Sequence, residues 1–510
     1  FWGCFAALTA TSFGFIVRTQ VIGDWGVEFA LSETQKGEIF GVGLWPFCIS
    51  IILFSLVIDK IGYGTSMMIA LFLHGLSAII TIMADGYWML YWGTFILALG
   101  NGTVEAAINP VVATIFSKEK TKWLNILHAG WPAGLALGGI LAILMGPEVS
   151  WKWKVALVLI PVVVYGVMLY GREFPVQERV KAGVSFKDML SEAGAVGFFL
   201  IFYTVLLEIN RVAGLTPLVE SNFLSLPHVS LTLSLILVSV GYYIYTNSLG
   251  RPLFILLLLI MIPLATTELG TDSWITDLMV PFLGNNAGWV VVYTAMIMVI
   301  LRFYAGPIVH RTSPLGLLAI SSAIALVGLI ILSTATGFMI FIAATIYGLG
   351  KTFFWPTMLG VAGERFPKGG ALTLNAITGV GMLAAGIFGT PFLGNIQDKQ
   401  IDSQLLKQNP AIHAQVMGQQ QTSVFGKYNP LDQEKVSDLS SSDQAIIAEV
   451  QTASKQGALS TVAVFPGIML ICYLGMIGYF RSRGGYKAID LSEDNSTTPQ
   501  EDISIEGDKT

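Results

Sequence analysis

Five ionisable side chains stand out inside long apolar stretches of this 510-residue chain: Arg18, Glu105, Glu268, Asp272 and Lys351. A charge at the middle of a bilayer costs at least ~2.5–3.5 kcal/mol, so such a group is expected to face a partner or a wet cavity. Glu105 carries the strongest signal. It follows Gly100 and Gly102 and precedes Asn109 and Pro110, and a proline inside a helix frees a backbone carbonyl of the preceding turn. A carboxyl placed there is suited to taking up and releasing a coupling proton; its structural alternative is an ion pair with Lys351. Glu268, beside Thr266 and Thr267, has three readings: a second coupling carboxylate, an ion pair with Arg18, or a tie between neighbouring helices. Asp272 and Trp274 follow it toward the far end of the same stretch, where Asp272 is expected to meet water.

Around these charges stand neutral groups of the kind that recognise sugar hydroxyls: Asn109, Asn125, His128 and Asn375. Trp131, Trp274 and Trp355 offer flat apolar faces on which a sugar ring stacks, although tryptophan equally marks a membrane interface. The glycines between 130 and 139, and again between 379 and 389, read as packing devices that let helices approach closely.

The elements that must carry these residues are membrane helices. Only 12% of the chain is charged and 54% is hydrophobic, whereas soluble domains carry roughly 25% charge. Apolar runs of about 20 residues, the length that crosses a bilayer, recur about six times in 1–171 and about six times in 252–482. The central region 172–251 holds a cytoplasmic loop and two further candidates, near 194–213 and 229–249, for about fourteen spans. Within the second half, the polar stretch 395–458 is expected to be a long external loop with a short helix near 443–453. Residues 483–510 are acidic and poor in apolar side chains, as in a disordered cytoplasmic tail. Lysine and arginine collect in one set of connections, at Lys60, Lys118, Arg172, Arg251, Arg311, Arg365 and Arg481 among others, which puts both termini in the cytoplasm. Cys4, Cys48 and Cys472 sit in apolar runs and read as core residues, not as a metal site. No basic stripe suggests nucleic acid.

The halves repeat. Gly100, Phe116, Asn125 and Gly139 have counterparts in Gly350, Phe366, Asn375 and Gly389, a spacing consistent with a duplicated six-helix unit. The connection Ser55-Leu56-Val57-Ile58-Asp59-Lys60-Ile61-Gly62-Tyr63-Gly64 resembles the major facilitator loop signature G-x-x-x-D-[RK]-x-G-[RK]-[RK]. Asp59, Lys60 and Gly62 match; Ser55 replaces the first glycine, and Tyr63-Gly64 replace the basic pair. The segment Gly100 to Pro110, followed by Asn125 and His128, resembles the fucose/glucose/galactose–proton symporter family, whose G-x-x-E-x-x-x-N-P precedes an N-x-x-Q pair. His128 stands where the family has glutamine. Phe354-Trp355-Pro356-Thr357 is similar to that family's F-P-T stretch, and Phe1-Trp2-Gly3 to its first helix.

The resemblance implies an all-α membrane protein with the major facilitator fold: two six-helix bundles related by pseudo-two-fold symmetry, here with two extra central helices. It implies that helices one, four, seven and ten line a central cavity, and all five buried charges lie on those helices. It also implies a gating latch at Asp59, Lys60 and Gly62. The family's first-helix aspartate falls at Ala10, so its coupling scheme does not carry over intact. The expected function is a secondary active transporter, not an enzyme. It would move a small polar solute, a sugar, by alternating access, with a coupling proton or sodium ion and no other cofactor, as a monomer in a bacterial inner membrane. A drug/proton antiporter is the alternative within the class and would show a mostly aromatic cavity. A membrane-embedded enzyme or a transporter-derived sensor is the alternative from another class.

Overall fold

The computed structural model describes residues 1–29, 39–146, 148–212, 226–284, 287–423 and 426–491. A lipid-exposed backbone must satisfy its own polar groups, and each apolar run does so as a helix. The first half comprises α1 (Trp2–Glu28), α2 (Trp45–Ile61), α3 (Tyr63–Ile82) and α4 (Tyr87–Ile115). Two broken spans complete it: α5 (Lys120–His128) with α6 (Gly130–Met145), and α7 (Trp151–Ala156) with α8 (Leu159–Leu169). After the short α9 (Glu178–Lys181) come the extra helices α10 (Phe186–Val212) and α11 (Leu226–Thr246).

The second half opens with α12 (Pro252–Ala265), a π turn (Thr266–Gly270) and α13 (Thr271–Leu283). Then follow α14 (Trp289–Phe303), α15 (Ala305–Thr312), α16 (Pro314–Leu332), α17 (Met339–Lys351) and α18 (Phe354–Arg365). The chain continues through α19 (Gly370–Leu383), a second π turn (Ala384–Gly389) and α20 (Thr390–Gln408). Among the described residues, eleven helices are long and apolar enough to cross a membrane, or twelve if the pair α14 and α15, bent by 67°, is one span. The two remaining expected spans, near 229–249 and 337–363, correspond to α11 and to the broken pair α17–α18.

The two halves meet chiefly where α19 packs on α2, α18 on α5 and α14 on α6. The extra pair is held at one point of close approach. Gly194 adopts φ +61°, and a Cβ there would lie 1.9 Å from the Gly250 nitrogen. That bend lets Ala195 N and Val196 N donate to the carbonyls of Ser248 and Leu249, each at 3.1 Å. α10 also packs on α19, which fixes the pair against the second half.

The stretch 395–458 is largely folded rather than an open loop. α20 leads to α21 (Pro410–Val416), an antiparallel hairpin of β1 (Gln421–Ser423) and β2 (Gly426–Tyr428), and α22 (Gln433–Ser437). α23 (Ser441–Val462) then returns alongside α20 into the last span, α24 (Val464–Arg481). A small core of Ile401, Leu405, Ile412, Val416, Ile447 and Val450 closes this cap. These residues pair at i,i+3 and i,i+4, the spacing of a helix face, but they are sparse within a Gln- and Ser-rich composition, which reads as a solvated spacer. The acidic tail lies, from residue 492 onward, outside the described residues.

Candidate solute site between the two halves

Three prolines interrupt the central helices: Pro110 in α4, Pro132 in the first turn of α6 and Pro356 in α18. A proline cannot donate to the carbonyl four residues before it, which singles out the carbonyls of Ala106, His128 and Thr352. Side chains from other helices take up all three. Asn375 Nδ2 donates to Ala106 O at 3.1 Å. Arg302 donates from Nη1 to His128 O at 2.7 Å and from Nε to Thr352 O at 2.6 Å. Its Nη2 donates to Glu268 Oε1 at 3.0 Å. Arg302, only 1% exposed, therefore ties a carbonyl of the first half to a carbonyl and a carboxylate of the second.

Arg302 is absent from the five charges singled out in the sequence. It lies near the basic end of its apolar run, where an arginine reads as an interfacial anchor. The signal that finds it is the pair of proline-freed carbonyls, which require a donor. Its partner Glu268 sits in the π turn that follows Pro263 of α12; such turns concentrate at functional sites. The two π turns abut each other, and a Cβ on Gly270 would come within 3.3 Å of the Gly389 backbone.

Neither ion pair offered as an alternative reading of the sequence forms. Glu268 pairs with Arg302, not with Arg18, whose Nε donates to Gly14 O of its own helix at 3.2 Å. Lys351 pairs with Asp272, not with Glu105, and its ammonium stands 5.1 Å from the centre of the Tyr347 ring. Asp272, expected in water, is instead only 16% exposed. Both changes have one cause: helix rotation, which spacing along one helix does not reveal, selects which charges face each other.

Glu105, His128, Trp131, Glu268, Arg302 and Trp355 line one cavity, completed by Leu269 and Met382. It encloses about 20 Å³, room for about one water and too little for a hexose, so the halves are drawn together around it. A larger cleft of about 210 Å³ between α3 and α8 is walled by Met68, Leu71 and Tyr170 and holds none of the five charges or Arg302. Buried charge, rather than size, therefore selects the smaller cavity.

On its first-half wall a polar chain runs inward. Asn109 Nδ2 donates to Glu105 Oε2 at 3.2 Å, and Asn109 Oδ1 lies 3.0 Å from His128 Nε2. With the amide oxygen as acceptor, His128 carries its proton on Nε2 and leaves Nδ1 as an acceptor. Among the described residues, no cation forms an ion pair with Glu105. On the second-half wall, Glu268 Oε2 is buried without a hydrogen-bond partner.

The other expected residues lie elsewhere. Asn125 donates to Thr121 O at 2.9 Å and to Thr357 Oγ1 at 3.2 Å, and Asn375 donates to Ser55 Oγ at 2.8 Å; both stitch the seam between the halves. Trp274 packs by Gly394 and, with Arg18 and Lys351, does not line the cavity. Asp59 accepts from Arg179 and from the Gln177 amide at 2.7 Å, whose oxygen accepts from Ala371 N of the second half. Lys60 is exposed, and Gly62 supplies φ +84° at the end of α2. The same face is closed by Lys120 with Glu178 at 2.7 Å and by the Thr121 hydroxyl on Glu364 Oε1 at 2.5 Å.

The fold has solved relatives. The fucose:proton symporter of E. coli aligns with a TM-score of 0.52 at 16% identity, over 91% of this chain and 98% of its own. A proton:xylose symporter aligns at 0.56 and 15%, over 79% and 89%. The human organic anion transporter MFSD10 aligns at 0.57 and 10%, over 92% and 98%. At such identities the likeness is one of fold. No curated protein sequence matches the chain. The family model of the Major Facilitator Superfamily matches residues 3–390, and on that match, over this architecture, the chain belongs to the Major Facilitator Superfamily.

Proposed function

We propose that the protein is a symporter for a small polar solute, a sugar, driven by an inward proton gradient. The observation that carries the reading is Glu105: a 3% exposed carboxyl on the wall of the central cavity, with an amide for its partner and, among the described residues, no cation. A buried charge without a counter-charge is costly, and a mobile cation taken up at Glu105 during the cycle would remove that cost. Asn109 turns its NH₂ toward Glu105, which does not build the oxygen cage a metal cation requires and favours a proton over sodium.

The mixed wall, two carboxylates, an arginine and a histidine against two tryptophans, supports a solute with many hydroxyls and one apolar face. Fucose and xylose symporters among the structural relatives support the same class. An organic anion, the solute class of the relative MFSD10, fits less well with two carboxylates at one cavity. Alternating access follows from closing and opening the Asp59–Arg179–Gln177 and Thr121–Glu364 contacts on the basic face. The lysine and arginine distribution supports a cytoplasmic assignment of that face, with both termini on it; a monomer in a bacterial inner membrane completes the reading.

The test is counterflow in proteoliposomes with L-fucose, D-galactose, D-xylose and disaccharides, on wild type and Glu105→Gln. Counterflow needs binding and alternating access but no gradient. Exchange in both proteins, with proton-driven accumulation lost only in the variant, is the expected result. Failure of every sugar alongside exchange of a lipophilic cation would transfer the protein to the drug antiporters.

A further inference from the structure

The cavity's two walls are unequal in what they leave unspent. On the first-half wall, Glu105 already receives a bond from Asn109. On the second-half wall, Glu268 presents one carboxylate oxygen fixed by Arg302 at 3.0 Å and a second with no hydrogen-bond partner among the described residues, at a residue 3% exposed. Leaving a buried charged acceptor unmatched is costlier than leaving a neutral one. A group with a free N–H or O–H is therefore what this wall lacks.

The carboxylate is also aimed. Arg302 has its Nε and Nη1 committed to the carbonyls of Thr352 and His128, which Pro356 and Pro132 keep from helical bonding. Its guanidinium cannot swing without abandoning both, and it holds Glu268 Oε1 from the remaining nitrogen. The π turn that carries Glu268 abuts the second one, with Thr266 and Gly270 on either side of it packed against Gly389. Aromatic faces of Trp131 and Trp355 complete the same cavity, so a ring stacked there would bring its rim to the unmatched oxygen.

We propose that Glu268 Oε2 is the solute's hydrogen-bond acceptor in the second half, taking a ring hydroxyl, and that Arg302 is the positioning residue that aims it. The inference rests on the polar-solute reading above. Binding would then join the halves through the solute as Arg302 joins them through His128, with no covalent change.

Competition binding on the full-length protein in nanodiscs tests it, using whichever of L-fucose, D-galactose and D-xylose exchanges in counterflow. Its monodeoxy and monofluorodeoxy analogues are the competitors, since fluorine cannot donate. Glu268→Gln should weaken the parent sugar by about tenfold to a hundredfold, the worth of one bond to a charged acceptor. One position should stand out: the analogue lacking that hydroxyl binds wild type weakly and loses nothing further on the variant, as coupled partners do. Arg302→Lys should reproduce the same selective loss and raise KM more than it lowers kcat. If Glu268→Gln does not fold, Glu268→Asp reads the same cycle. Unchanged affinity, or a loss spread evenly over every analogue, overturns the assignment while leaving the transport reading intact. If no hydroxylated probe exchanges in wild type, the transport reading falls and this one with it.

Discussion

Replacing Arg302 with methionine removes the guanidinium while keeping an unbranched apolar side chain at the centre of the protein. The variant loses the bonds to Glu268 Oε1, His128 O and Thr352 O, at 3.0, 2.7 and 2.6 Å. Neither carbonyl can turn back to its helix, because Pro132 and Pro356 have no N–H to offer. Interhelical hydrogen bonds in membrane proteins average about 0.6 kcal/mol, so the bonds alone account for about 2 kcal/mol. Stranding the Glu268 carboxylate raises the cost toward the ~3–5 kcal/mol found when one member of a buried ion pair is removed. Adding Glu268→Gln removes that stranded charge, so the double variant should recover about 2 kcal/mol relative to Arg302→Met alone. Reversible unfolding in mixed micelles, followed by circular dichroism, measures both differences. An Arg302→Met protein within about 1 kcal/mol of wild type, or a double variant destabilised by the sum of the single effects, would refute the clasp.

Four other outcomes follow from the geometry. Lys351→Met, which strands Asp272 at its ion pair, should cost about 3 kcal/mol in the same unfolding assay, whereas Lys60→Met, on an exposed residue, should stay within about 0.5 kcal/mol; equal costs would contradict the burial difference. Arg179→Ala releases Asp59 on the basic face, and maleimide labelling of Ser55→Cys, at a position now 1% exposed, should accelerate in that background. Unchanged labelling would remove the latch from the gate. Gly350→Val should prevent folding, since even a Cβ would stand 2.4 Å from the Ala325 nitrogen; a monodisperse protein with wild-type melting would show that α16 and α17 can separate. Leu405→Ala deletes a fully buried side chain of the cap at a cost of about 2–5 kcal/mol. Protease should then cut faster within 409–440 while counterflow persists, and loss of counterflow would mean that the cap is coupled to the cycle.

Composition and apolar spacing are enough to specify a membrane fold and most of its elements. Charge scarcity and apolar length dictate spanning helices, because in lipid no other open element satisfies its backbone, and the Asp59-Lys60-x-Gly62 connection matches part of the superfamily's loop signature. Glu105, His128, Trp131, Glu268 and Trp355 were legible as site candidates from their types within apolar runs, and the structure brings all five to one cavity. What the sequence left open was pairing. Lys351 lies with Asp272 rather than Glu105, and Glu268 with Arg302 rather than Arg18, because partners are selected by the rotation and depth of helices far apart in the chain. Arg302 escaped notice for a related reason. Its value comes from two carbonyls freed by prolines on helices of opposite halves, and only tertiary packing brings these within reach of one guanidinium. The cap was hidden likewise: a few well-spaced Ile, Leu and Val side chains form a core only when α20 and α23 lie side by side.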